Sequence, residues 1–285
     1  MSTPKIRLEG AVVAITGGAR GIGLATAKQF VARGATVCIG DLDGGAAADA
    51  AASTGRGALP FQLDVSSLES FQTFVDDVTS TAGAIDVLVN NAGVMPAGSF
   101  LEESESTTHT ILGVNIAGPV HGMRVVLPGM IKRGRGHVVN VASMTGRMEL
   151  PGLATYSASK YAVVGLTAAV RDELAGTGVT LTCVLPGVVN TELSAGIPLP
   201  PLVGGLLRVE PDEIASAIVA SVSNRKREVA VPRWMGLYPP IRPFVPDFVE
   251  QAVRRLLGHD RAMRRHDPGR AEYESRVAQQ SAERD

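Results

Sequence analysis

Along the first 190 residues, two textures of apolar and polar positions alternate. Short runs dominated by Val, Ile, Leu and Ala occupy residues 11–15, 35–40, 58–63, 85–89, 136–142 and 179–185. Between them, residues 21–33, 68–82, 104–131 and 155–175 carry apolar side chains at helical spacing. Strands that are apolar on both faces, alternating with helices, predict a parallel sheet covered on both sides. Right-handed crossovers then give a doubly wound α/β sheet of about seven strands, whose ligands bind beyond the carboxyl ends of the strands.

After Gly187 the pattern changes. Residues 193–207 are rich in Gly, Pro and Leu without a clear period. Residues 210–223 predict a helix with Pro211 in its first turn, and residues 228–231 a last strand. Prolines are too dense across 232–246 for an ordinary helix. Residues 247–257 predict a short amphipathic helix, and 258–285 are highly charged. The predicted organisation is a catalytic domain over 1–232, with a substrate loop near 191–210, followed by a C-terminal extension over 233–285.

Composition narrows this picture only a little. In 285 residues, 45% are hydrophobic and 19% charged, ordinary values for a soluble globular chain. A net charge of −1 supplies no attraction to nucleic acid. The start lacks the apolar core of a secretory signal, and no run of about 18 apolar residues occurs, so a cytoplasmic location is expected. Cys38 and Cys183 each sit alone in apolar β-like runs and read as core residues. None of the five histidines pairs with another at metal-ligand spacing beside a carboxylate, so no metal is expected.

The first run leads into Thr16-Gly17-Gly18-Ala19-Arg20-Gly21-Ile22-Gly23, which opens an apolar helix. A tight strand-to-helix turn without Cβ atoms lets backbone approach a pyrophosphate, and the helix N-terminus presents free N–H groups to it. This is the phosphate-binding turn of a Rossmann-type domain. The second run ends at Asp41, 24 residues after Gly17, near the spacing expected of a ribose-binding acid. A carboxylate there would accept from the adenosine hydroxyls and repel a 2′-phosphate, favouring NAD over NADP. Arg20 argues mildly the other way. Asp43 is a competing acid, placed beyond the strand end and read as part of the turn.

Tyr156 and Lys160 fall one helical turn apart on one face. A phenol with a pKa near 10 is a poor base at neutral pH, and a neighbouring ammonium would favour its ionised form. Ser143 lies 13 residues earlier at a strand end, Asn115 lies within the preceding helix, and Asn90-Asn91-Ala92-Gly93 follows the fourth strand. Together with the glycine turn, these residues resemble the short-chain dehydrogenase/reductase family, in its single-domain branch, over about residues 8–231.

That resemblance implies roles. Tyr156 would exchange the proton with the substrate oxygen, and Ser143 would steady that oxygen. Lys160 would bind the nicotinamide ribose and lower the Tyr156 pKa, with Asn115 holding a water that links Lys160 to solvent. Asp64 and Val65 would contact the adenine, and Asn90, Ala92 and Gly93 would line the adenosine side. In the run that follows the sixth strand, from Pro186 and Gly187 onward, Val189 and Thr191 would hold the carboxamide. The expected activity is hydride transfer between NAD and a secondary alcohol or ketone. The alternatives are an NADPH-dependent ketone reductase on the same scaffold and, more remotely, a non-catalytic dinucleotide sensor.

Ile197, Leu199, Leu202, Val203, Leu206 and Leu207 make the loop apolar, and Met95, Met144, Met148 and Leu153 follow strand ends that would face the same pocket. This suits a lipophilic small-molecule substrate, although the same residues would serve equally to pack a lid or a subunit contact. In the extension, Trp234, Tyr238, Phe244 and Phe248 interleave with prolines, and Arg254, Arg255, Arg261, Arg264 and Arg265 follow. Packing on the body or a partner subunit is the first expectation, with peripheral membrane contact and a lid over a neighbouring protomer as the others. The resemblance implies a homotetramer or homodimer built through the helices at 104–131 and 155–175.

Overall fold

A computed structural model of the chain describes residues 5–194 and 208–246, together with Tyr273, Ser275 and Val277. Seven parallel strands form the main sheet in the order β3-β2-β1-β4-β5-β6-β9. They are β1 (Val12–Thr16), β2 (Thr36–Asp41), β3 (Ala58–Gln62), β4 (Val87–Asn90), β5 (Gly136–Val141), β6 (Val179–Pro186) and β9 (Glu228–Val231). The order reverses between β1 and β4, so the crevice at their carboxyl ends is where a doubly wound sheet accepts a ligand.

Successive side chains of each strand alternate between two apolar layers. Val12 and Ala14, with Leu88 and Val138, pack on α3 (Leu68–Ala82) and α5 (Gly118–Arg133) through Phe71, Phe74, Met123 and Met130. Val13 and Ile15, with Val37 and Val139, pack on α1 (Gly21–Val31) and α7 (Pro211–Asn224) through Phe30, Ile214 and Ile218. α6 (Ala154–Glu173) covers the first face further along, where Val163 and Val164 meet Met144 and Leu185.

Three elements differ from the sequence reading. An additional helix, α2 (Gly44–Thr54), follows β2; its alanine-rich run has no apolar period but high helix propensity, and the Asp43 carboxylate caps it by accepting from Ala46 N–H. The helix expected over 104–131 is divided. α4 (Glu105–Leu112) passes through a π-helical turn at Gly113–Ala117 into α5, and that wider turn carries Asn115. Two short strands, β7 (Val188–Val189) and β8 (Arg208–Val209), pair in parallel at the two ends of the expected substrate loop. Residues 195–207 of that loop, with its six apolar residues named above, lie outside the described residues.

By length and composition alone, the α4–α5 stretch Glu105–Arg133 is apolar enough to cross a membrane, yet 56% of its most apolar window is buried against the protein itself. It is a core helix of the sheet.

The proline-dense segment forms 3₁₀ turns at Arg233–Leu237 and Arg242–Phe244 around a four-residue helix, Tyr238–Ile241. Met235 anchors it in the cluster of Met144 and Val163, and Arg242 forms a two-pronged ion pair with Glu149 at 2.5 and 2.9 Å. Packing on the body, the first expectation for the extension, therefore holds for these residues. The helix expected at 247–257, Phe248 and the five arginines lie outside the described residues.

Candidate active site

Thr16 closes β1, and its hydroxyl accepts the N–H groups of Asn91 and Ala92, each at 3.0 Å. The Asn91 amide donates back to the carbonyls of Thr16 and Gly17, at 3.1 and 2.9 Å. The glycine turn is thereby fastened to the segment after β4. Its packing leaves no room for side chains: a Cβ on Gly17 would stand 2.8 Å from Ala92 Cα, and one on Gly23 would collide with the Gly17 carbonyl. Gly17 and Gly21 also have positive φ, 61° and 50°. A Cβ on Gly21 would meet Thr191 Cγ2 at 3.2 Å, so the turn adjoins the segment that follows β7. No side chain caps α1 at Arg20, and Ile22 packs inward from its first turn. This cradle fits a dinucleotide pyrophosphate, which the helix N-terminus would hold.

Asp41, half-buried at the end of β2, accepts Ala19 N–H at 3.1 Å and Asp43 N–H at 3.3 Å. Burial raises its pKa, against the lowering pull of those two backbone bonds. Arg20 reaches Asp43 at 3.1 Å, both side chains being about half exposed. Asp43 thus belongs to the turn as expected, and it also holds Arg20. Asp64 accepts from the Ser66 N–H and hydroxyl, and the Val65 carbonyl meets His121 Nδ1 at 3.0 Å.

The side chain of Asn90 is buried. It donates to Asn140 Oδ1 at 2.8 Å inside the sheet, and Asn140 donates in turn to Thr167. Asn91, one position along, is the residue that meets the glycine turn. The sequence motif contained both and offered no way to tell their faces apart.

At the other end of the crevice, Ser143 follows β5, and its oxygen accepts Thr145 N–H at 3.1 Å. Tyr156 and Lys160 rise from α6, with Nζ 5.6 Å from the ring centroid and donating to the Val141 carbonyl at 3.2 Å. The Asn115 amide is bound to both backbone groups of Val94, each at 2.9 Å, and to Ser159 Oγ at 3.1 Å. Asn115 therefore fixes the strand-end loop against α6. Gly93 lies where a Cβ would be 3.3 Å from Asn115 Oδ1 and 3.4 Å from Lys160 Nζ, so a bulkier residue there would press on both.

Burial pushes the Tyr156 phenol up to about 12, with a hydrogen bond to Ser143 pulling the other way and a weaker one to Thr145 adding to it. Burial also brings Lys160 down to about 8. Desolvation of the phenolate outweighs the lowering pull of Ser143 and Thr145. At neutral pH the site holds a protonated phenol beside a buried cation.

Of the expected substrate residues, Met95 and Leu153 share a cluster with Tyr156, joined by Leu150 and by Leu193, which the sequence did not single out. Met144 and Met148 lie in the adjoining cluster with Val163 and Met235. Pro186 ends β6, Gly187 N–H bonds to the Val231 carbonyl at 2.7 Å, and Val189 accepts from Thr191 N–H at 2.8 Å. The segment expected to meet the carboxamide thus runs from the sheet toward the glycine turn.

Comparison with known proteins agrees with this geometry. A family model described as short chain dehydrogenase matches residues 11–199. The chain is 34% identical to 3-oxoacyl-[acyl-carrier-protein] reductase FabG of Thermotoga maritima, covering 79% of this chain and 95% of that protein. It is 32% identical to 17-beta-hydroxysteroid dehydrogenase 13 of Rattus norvegicus, covering 87% and 83%. With the Probable oxidoreductase EphD of Mycobacterium tuberculosis it shares 35% identity over 86% of its own length, but it spans only 43% of that relative. The crystal structure of 3-ketoacyl-(acyl-carrier-protein) reductase from Brucella melitensis complexed with NADH superposes with a TM-score of 0.73, at 30% identity, over 79% of this chain and 97% of that one. The chain belongs to the short-chain dehydrogenase/reductase family.

Proposed function

We propose that the protein transfers a hydride between NAD and the carbinol or carbonyl carbon of a lipophilic secondary alcohol or ketone, with Tyr156 as acid and base. The observation that carries this reading is the convergence of Tyr156, Lys160 and Ser143 at the carboxyl end of β5, across the crevice from the glycine turn. When bound, the nicotinamide supplies the hydride acceptor or donor. Ser143 donates to the substrate oxygen and orients it. Tyr156 gives that oxygen its proton during reduction and takes the proton back during oxidation. Lys160 holds the ribose and contributes positive charge beside the phenol.

The phenol's raised pKa gives a sign to the pH dependence. Reduction uses the protonated form, present at neutral pH, whereas oxidation needs the phenolate. Oxidation is expected to accelerate as pH rises through the alkaline range, and reduction to slow. The test is a screen of lipophilic secondary alcohols with NAD, and of the matching ketones with NADH, followed by cofactor absorbance at several pH values. Parallel pH profiles in the two directions would contradict the role given to Tyr156.

Asp41 supports NAD over NADP. It stands at the β2 terminus beside Ala19, and Arg20 is already paired with Asp43. A 2′-phosphate would meet a carboxylate with its compensating charge engaged elsewhere. Asp41→Ala is expected to lower kcat/KM for NAD by about 10-fold and to raise that for NADP, as removal of a charged hydrogen-bond acceptor would do. An unchanged ratio of the two cofactors in this variant would favour the second reading, an NADPH-dependent ketone reductase.

The lipophilic substrate class rests on the Met95–Leu153–Tyr156 cluster with Leu150 and Leu193. The names of the steroid and acyl-chain relatives agree with an apolar substrate. For assembly, partly exposed Leu112, Ile131 and Tyr161 on α4, α5 and α6 favour a homo-oligomer built on those helices.

A further inference from the structure

Tyr273, in the C-terminal extension, meets the wall of the crevice. Tyr273 and Val277, one helical turn apart, are both buried, within the apolar cluster that contains Val94, Ile111 and Val114. The Tyr273 hydroxyl accepts the Met95 N–H at 2.7 Å, across 178 positions of sequence. Met95 is the residue that packs with Leu153 and Tyr156. Its neighbour Val94 is gripped by Asn115, and Gly93 adjoins Lys160. Residues 93–95 therefore form one continuous wall, bound by Asn115 at Val94 and by the extension at Met95.

We propose that Tyr273 is a specificity-determining residue: held against Met95 at the substrate end of the crevice, it sets how bulky an alcohol or ketone can reach Tyr156. Packing alone would be served by an apolar side chain; here a phenolic oxygen is delivered to a backbone N–H of the crevice wall. The two phenols are also within electrostatic reach, since Tyr273 raises the Tyr156 pKa. This inference rests on the hydride-transfer reading above for the identity of its substrates.

The test uses the full chain carrying Y273A, Y273F or V277A. A panel of secondary alcohols, from short 2-alkanols to fused-ring carbinols, gives kcat and KM, and the matching ketones are titrated into the NADH complex by its fluorescence. Y273A should raise kcat/KM for the bulkiest members relative to the smallest by about 10-fold, mainly through KM, as expected when space is opened in an apolar pocket. The ketone affinities should follow the same order, and the affinity for NADH should stay unchanged. Y273F should keep the parent's size profile while speeding amide hydrogen exchange at Met95. V277A should lower the melting temperature without altering the profile. Ketone binding reads the inference even where turnover fails, so failure of the hydride-transfer reading shows separately, as a parent that binds but does not react. A Y273A profile parallel to the parent's in both turnover and ketone binding overturns the proposal, as does a uniform loss across the panel.

Discussion

Tyr156→Phe is expected to lower kcat by about 10²- to 10⁴-fold in both directions while leaving NADH affinity nearly unchanged. The substitution removes one oxygen and keeps the ring. That ring is buried with Met95 and Leu153, so the local packing survives. What disappears is the hydroxyl to which the proposed mechanism assigns the proton transfer. Ser143 loses its hydrogen bond to the phenol but retains the Thr145 N–H, which keeps its oxygen placed. The measurement is steady-state kinetics beside an NADH titration. A variant that keeps a tenth or more of parental kcat would remove Tyr156 from the chemistry.

Lys160→Met is expected to abolish most turnover and to shift stability in a pH-dependent way. Burial lowers the Lys160 pKa from 10.5 to about 8, so the folded state holds its ammonium less readily than the unfolded chain does. The sign follows directly. Above 10.5 the amine is neutral in both states and its burial carries no charge penalty. As pH falls through 10.5 toward 8, the unfolded chain takes up the proton first, and folding loses stability. Below about 8 that loss is complete, on the order of 3 kcal/mol for a shift of this size. A methionine relieves it, although the Val141 carbonyl then loses its donor, at a cost of about 1–3 kcal/mol. Whatever the net value at neutral pH, the variant's stability relative to the parent should decline as pH rises between about 8 and 10.5. Chemical denaturation at three pH values checks this, and a difference independent of pH would contradict it. Loss of activity beside a gain at low pH would place Lys160 among residues kept for function at the expense of stability.

Much of this site could be read from the chain because its signals are local. The glycine turn needs specific residues within eight positions, and the Tyr156–Lys160 pair needs only helical spacing. The strands were legible because both faces of a central parallel strand are buried, leaving continuous apolar runs. Features set by neighbours in space were not. α2 has no apolar stripe, and its start is marked only by Asp43, a residue equally suited to a loop. Asn90 and Asn91 differ only in which way the chain turns as β4 ends, a consequence of where Asn140 and Gly17 lie. The direction of the Tyr156 pKa shift depends on how completely the fold removes the phenol from water. Tyr273 meets Met95 through a contact that no local pattern announces.

The central claim is direct hydride transfer between a carbinol carbon and the nicotinamide, with Tyr156 handling the proton. A secondary alcohol from the active panel, deuterated at its carbinol carbon, should be oxidised with NAD, and the reduced cofactor examined by proton NMR. The account predicts deuterium at C4 of the nicotinamide on a single face, with incorporation slowed by about 10²- to 10⁴-fold when Tyr156→Phe replaces the parent. Reduced cofactor lacking deuterium, or label divided between both faces, would contradict it.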